Sequence, residues 1–150
     1  MDQFVIQKEN KHCIPCIAEI PENCRKIIIL LHGLSSSKES ENALFMMNFF
    51  AEKGIGTIAY DQPGHGTEEA AHEDLLLKNC LESLSAVEKY VTEKYPGAEI
   101  CYFGSSFGGY VLGIYLTRRL NKGRKAFMRC AAVIFPQLVI GDVHAGPDPE

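Results

Sequence analysis

Residues 99–109 read EICYFGSSFGG. An apolar run through Ile100, Cys101, Tyr102 and Phe103 stops at Gly104, and glycine returns at 108 with Ser106 midway between. A serine hydroxyl is a weak nucleophile unless it is held exposed and aimed. A very sharp strand-to-helix turn does this, with the serine at its tip in a strained backbone conformation. The chain crowds itself around such a tip, so glycine is favoured two positions before and two after, where Gly104 and Gly108 stand. The residues that follow place Val111, Leu112, Tyr115 and Leu116 on one face and predict a helix over 107–120. Its N-terminus would bring partial positive charge, and the Phe107 N–H, to the place where an oxyanion would form. A glycine-rich turn that only packs a helix on a strand has the same composition, so the strand–turn–helix context carries the assignment. Centring the turn on Ser105 would put Phe103 and Phe107 at the flanks, which makes Ser106 the better choice.

Working outward, residues 3–8 and 13–20 alternate well enough for two strands. KIIILL at 26–31 and IGTIAY at 55–60 are short β-branched runs, as expected of strands buried on both faces. Between them, 41–53 places Ala43, Leu44, Met47, Phe50 and Ala51 on one helical face and ends at Gly54. A long helix over about 72–94 repeats Leu77, Cys80, Leu81, Leu84, Val87 and Val91 at three- and four-residue steps. Strands are expected at 99–103 and, as a final apolar one, at 130–138. Strands alternating with amphipathic helices predict an α/β fold with a mostly parallel sheet covered on both faces. The polar turns at 32–40, 61–67 and 104–108 then meet at the carboxyl edge, where such sheets bind ligands.

In the first of these turns, His32-Gly33-Leu34 suits a backbone role. Gly33 lets the loop come close, and the Leu34 N–H serves as a second oxyanion donor. His32 is read as structural in preference to a catalytic base, because glycine follows it on a tight loop. Asp61 and His65, in Asp-x-Pro-Gly-His-Gly, are read as parts of a rigid hydrogen-bonded turn. Phe107, Phe45 and Leu34 hint at an apolar acyl site, although large apolar residues near a strand edge are more often core.

Bulk properties bound the rest. At 150 residues the chain has the size of one domain, and 46% hydrophobic with 23% charged residues is a globular composition. A net charge of −4 argues against nucleic acid or an anionic membrane as the main partner. The N-terminus lacks a basic stretch leading into an apolar one, so no signal peptide is expected and the cytoplasm is the default location. The longest apolar runs fall short of a membrane span. Six cysteines in such a chain are expected to be reduced. Cys13-Ile14-Pro15-Cys16 has the spacing of a redox dithiol, but it runs into strand-like IAEIP rather than opening a helix, and it lacks a second C-x-x-C for zinc. Strand cysteines are the preferred reading.

Taken together, the His-Gly loop (32–33), the Asp-x-Pro-Gly-His-Gly turn (61–66) and the Gly-Ser-Ser-Phe-Gly-Gly elbow (104–109) resemble the α/β-hydrolase superfamily, in its order and near its spacings. The nearest group is the serine aminopeptidase-like hydrolases and bacterial esterases, over about residues 10–138. The resemblance implies a three-layer sandwich with Ser106 as nucleophile and the Leu34 and Phe107 N–H groups as oxyanion hole. It also implies a small-molecule carboxylic ester, amide or thioester as substrate, and no metal or organic cofactor.

In that family a triad acid and then a histidine follow the elbow on later strands. The expectation is therefore a single core over 1–150, C-terminally incomplete after about the sixth strand, with an irregular tail at 139–150. Asp142 and His144 stand only two apart on that Gly/Pro-rich tail and are poor candidates for a fixed acid–base pair. His65 and His72 are spare candidates for the base. An apolar strand at 130–138 would be an uncovered edge and a site of self-association. The competing reading is a truncated, non-catalytic remnant or binding module that keeps the pocket without the chemistry.

Overall fold

The β-branched run at 26–31 forms the strand on which the rest of the sheet is laid. The computed structural model describes residues 1–8, 12–66, 74–118 and 124–131. In chain order the elements are β1 (Asp2–Gln7), β2 (Cys13–Glu19), β3 (Lys26–Leu31), α1 (Glu41–Ala51), β4 (Gly56–Tyr60), α2 (Leu77–Lys94), β5 (Glu99–Ser105), α3 (Phe107–Arg118) and β6 (Ala126–Arg129). They form one six-stranded sheet in the order β1-β2-β4-β3-β5-β6. β1 and β2 are an antiparallel hairpin, and β2 joins β4 antiparallel. The pairs β3–β4, β3–β5 and β5–β6 are parallel.

Alternation along β3 explains the layers. Ile27, Ile29 and Leu31 point to one face and pack with Ile58, Tyr60, Ile100 and Tyr102 beneath α2 and α3. Leu30 points to the other face and packs with Ile17, Ala59 and Met47 of α1. Each such side chain, fully buried, contributes about 1.5–3 kcal/mol, so a strand buried on both faces needs helices on both. This is the three-layer arrangement that the alternating runs predict. Ser40 starts α1 by accepting a hydrogen bond from the Ala43 N–H at 3.3 Å.

A buried charge ties the α2–α3 side together. Glu88 Oε2 accepts from the hydroxyls of Tyr102 and Tyr115, each at 2.7 Å. Its Oε1 pairs with the Arg124 guanidinium, which also donates to the Tyr102 hydroxyl at 2.7 Å. One carboxylate thereby joins α2, β5, α3 and the approach to β6.

Two boundaries differ from the sequence expectation. α2 begins at Leu77, after an extended Leu76 (φ −107°, ψ 141°), and not near 72; residues 72 and 73 lie outside the described residues. The last described strand is Ala126–Arg129, and neither residue 130 nor residue 131 belongs to a strand. Arg124, anchored on Glu88 and Tyr102, brings the chain alongside β5 early, and Cys130 turns out of the strand with φ +48°. The remainder of the expected strand, residues 132–138, and the tail at 139–150 lie outside the described residues. Among the described residues β1 and β6 are the two edges of the sheet. All four β6 residues are exposed, and Phe127 stacks on Phe103 at 5.6 Å.

The C-x-P-C segment is strand β2, as its alternation suggested. Cys13 and Cys16 are three apart and therefore face opposite sides of the sheet. The Cys13 thiol donates to Gln7 Oε1 at 3.3 Å, whereas burial pushes the Cys16 thiol up to about 12. Cys16, Cys24, Cys80, Cys101 and Cys130 are free thiols. Among the described residues no helix is long and apolar enough to cross a membrane.

Candidate active site

β5 ends at Ser105 and α3 begins at Phe107, leaving Ser106 alone at the junction. Its φ is +51°, in the left-handed region that costs a non-glycine residue about 1–2 kcal/mol. Two backbone bonds hold it there. The Ser106 N–H donates to Arg129 O at 3.0 Å, and Ser106 O accepts from the Tyr110 N–H at 3.1 Å. The hydroxyl-bearing residue is half-buried at the carboxyl edge of the sheet.

The flanking glycines are required by main-chain atoms. A Cβ at Gly108 would stand 2.2 Å from Leu31 O and 2.6 Å from His32 O, because α3 is pressed against the end of β3. A Cβ at Gly104 would stand 2.7 Å from Gly108 O. Gly109 belongs to the same requirement, since its Cβ would meet Ala131 Cβ at 2.8 Å. Its constraint comes from the chain after β6, which the local motif does not show.

The loop after β3 passes directly over the elbow. A Cβ on Gly33 would lie 3.4 Å from Ser106 Cβ and 3.5 Å from Ser105 O. Leu34, next in line, is 39% exposed, and its N–H finds no acceptor among the described residues. The sequence-predicted residues His32, Gly33, Leu34, Gly104, Ser106, Phe107 and Gly108 are thus gathered at one edge. The Phe107 side chain, however, is 4% exposed in the main core with its ring against Tyr110, and Phe45 is 68% exposed on α1. The hint of an acyl site lined by Phe107 and Phe45 is therefore not supported, since one is core and the other faces outward.

His32 is buried, and both ring nitrogens are engaged. Nε2 accepts from the Gln62 N–H at 3.0 Å, so Nδ1 carries the proton and donates to Gly33 O at 2.7 Å. Burial holds its pKa down at about 4 and keeps the ring neutral. A trans peptide points its C=O and N–H in opposite directions. Fixing Gly33 O on the His32 ring therefore turns the Leu34 N–H of the same peptide away from that ring. The imidazole sets a backbone donor and has no lone pair left for a proton from Ser106.

The 61–66 turn supports this loop from the other side. Gln62 Nε2 donates to His32 O at 2.6 Å. Asp61 Oδ1 accepts from the Lys38 N–H at 2.8 Å, and Lys38 Nζ lies 3.2 Å from Oδ2. Gly66, at φ +89°, lies over that carboxylate, and a Cβ there would be 2.2 Å from Asp61 Cγ. His65 Nε2 accepts from the Ser35 N–H at 3.1 Å, and its Nδ1–H donates to Pro63 O at 3.0 Å. The rigid turn expected for Asp61 and His65 is what the structure contains. The roles of Gln62, Lys38 and Ser35 arise from contacts spanning 23 to 30 residues and have no local signal. His72, Asp142 and His144 lie outside the described residues. A polar cavity of about 310 Å³ between Lys8, His12, Asp61, Gln62 and Asp74 borders this turn without including Ser106.

This strand–elbow–helix site, set on a mostly parallel sheet, is matched by a family model. The model for serine aminopeptidase, S33, matches residues 22–145. The chain belongs to this family of the α/β-hydrolase superfamily. A mouse (Mus musculus) relative, phospholipase ABHD3, is 29% identical over 97 residues, covering 65% of this chain and 24% of that protein. A thermostable carboxyl esterase from Bacillus coagulans superposes with a TM-score of 0.74 at 22% identity, over 93% of this chain and 47% of its own. A cold-adapted esterase from an Arctic intertidal metagenomic library gives 0.71 at 18%, over 84% of this chain and 58% of that one. A dienelactone hydrolase from Anabaena variabilis gives 0.72 at 17%, over 92% and 66%. At these identities the structural likeness is one of fold. The chain spans between about half and two thirds of the length of these solved structures, and a quarter of the phospholipase.

Proposed function

We propose that this S33-family chain carries the nucleophile and oxyanion hole of a serine hydrolase acting on small carboxylic esters, with amides or thioesters as related substrates. The observation that carries the reading is the left-handed Ser106 between two glycines whose Cβ positions are filled by main chain. Strain of about 1–3 kcal/mol at one residue persists where the surroundings over-determine it, and such residues cluster at active sites.

In this reading Ser106 Oγ attacks the carbonyl carbon. The developing oxyanion accepts from the Leu34 N–H and from the Phe107 N–H at the start of α3. The Oγ proton passes to a base and then to the departing alcohol, amine or thiol as the acyl–oxygen, acyl–nitrogen or acyl–sulfur bond breaks. Water, deprotonated by the same base, then releases the acid and frees Ser106. His32 and His65 do not supply that base, because each has both ring nitrogens in hydrogen bonds. In the family pattern the base and its orienting carboxylate follow the elbow on later strands.

The engaged histidines also favour a second reading, in which the chain is a binding module without turnover. Hydrolysis of p-nitrophenyl acetate by wild type and Ser106→Ala separates the two. A serine hydrolase loses about 10³-fold or more in kcat with the nucleophile. Equal rates in the two proteins would establish the binding module.

A further inference from the structure

Leu34 lies between two peptide planes, and the structure gives each a separate histidine. The plane before it is held through Gly33 O by His32 Nδ1–H. The plane after it is held through the Ser35 N–H by His65 Nε2. Ser35 needs such a restraint, because its φ is +57° and it is not glycine. His65 is in turn fixed by its Nδ1–H on Pro63 O and by the edge contact of its ring with His32, at 5.0 Å between centroids and 64° between planes. Gln62 closes the arrangement by holding both His32 Nε2 and His32 O.

We infer that His65 is a positioning residue for the oxyanion hole: with His32 it clamps Leu34 from both sides and fixes the direction of the Leu34 N–H over Ser106. The inference rests on the hydrolase reading above and extends it to a residue about thirty positions from the loop it controls. An oxyanion donor acts on charge present only in the transition state, so its misalignment lowers kcat and leaves substrate binding nearly unchanged. Removing such a donor outright costs about 10²–10³ in kcat, and loosening one side of its clamp is expected to cost about tenfold to a hundredfold.

The test uses two polar, uncharged replacements. His65→Asn keeps a donor near the Nδ1 position, within reach of Pro63 O, and lacks an acceptor at the Nε2 position. His65→Gln places an amide oxygen near that second position. With p-nitrophenyl acetate as substrate, His65→Asn is expected to lower kcat by about tenfold to a hundredfold with KM within about threefold. His65→Gln is expected to recover most of the loss. Amide hydrogen exchange read by NMR should show the Ser35 N–H protected in wild type and in His65→Gln, and unprotected in His65→Asn. Unchanged kcat in His65→Asn, unchanged Ser35 exchange, or equal loss in both variants would each overturn the clamp. Ser106→Ala, measured in parallel, tells the two failures apart. Wild-type turnover no faster than Ser106→Ala sinks the hydrolase reading and the clamp with it, whereas a Ser106-dependent rate that ignores His65 sinks the clamp alone.

Discussion

Replacing Gly108 by alanine adds one methyl group and should disrupt the elbow. The new carbon would lie 2.2 Å from Leu31 O and 2.7 Å from Leu31 C. Carbon and oxygen meet comfortably at about 3.3 Å, so the overlap is about 1 Å. Core insertions that side chains can absorb cost typically about 1–3 kcal/mol. Here the obstacles are main-chain atoms at the end of the central strand, so the cost is expected at about 3 kcal/mol or above. A small domain has about 5–15 kcal/mol in total, and a chain of this length loses about 2–4 °C of Tm per kcal/mol. Gly108→Ala should therefore melt about 6–12 °C lower and show a clearly lower urea midpoint. Gly113, on the same helix, provides the control. A Cβ there would meet only Met128 Cε and Sδ at 3.9 Å, ordinary contact. Alanine is favoured over glycine in a helix interior by about 0.5–1 kcal/mol, so Gly113→Ala should stabilise. The same substitution should thus act with opposite signs at two positions five residues apart. A Gly108→Ala protein that melts with or above wild type would refute the close packing of α3 on β3, and the elbow geometry with it.

Two further outcomes follow from the same site. Ser106→Gly should raise stability by about 1 kcal/mol, since glycine adopts the left-handed region without penalty, while abolishing turnover; a less stable variant in thermal melts would show that the φ of +51° is not strained. For His32 the folded pKa is about 4 against an ordinary 6.5, so below pH 6.5 the unfolded chain binds a proton that the folded one refuses. Stability is thus fully retained above about 6.5 and lost as the pH falls toward 4, by about 3 kcal/mol from this group alone. Urea unfolding across that window should be steeper in pH for wild type than for His32→Gln, and parallel curves would contradict the buried neutral ring.

The parts of the fold that the sequence announces are those whose causes are local. β3 is legible because five consecutive residues, Ile27 to Leu31, must be apolar to be buried between two helical layers. The roles of Gly104 and Gly108 are legible because a sharp turn excludes its own neighbours. β6 was not legible: AFMR is four exposed residues held by backbone pairing to β5, and the more apolar stretch after it draws the eye instead. His32 could be read as structural from the glycine after it. The reason, a tautomer set by Gln62 and spent on Gly33 O, needs two loops thirty residues apart to meet. The strain at Ser35 and its relief by His65 were hidden for the same reason.

The account depends on Ser106 being a reactive nucleophile, and covalent trapping tests that directly. A fluorophosphonate probe, followed by peptide mass spectrometry, should phosphonylate the full chain on Ser106 and on no other serine, with the adduct lost in Ser106→Ala. Wild-type protein that stays unmodified while an intact esterase is labelled alongside it, or that carries the adduct on Ser105, would contradict it.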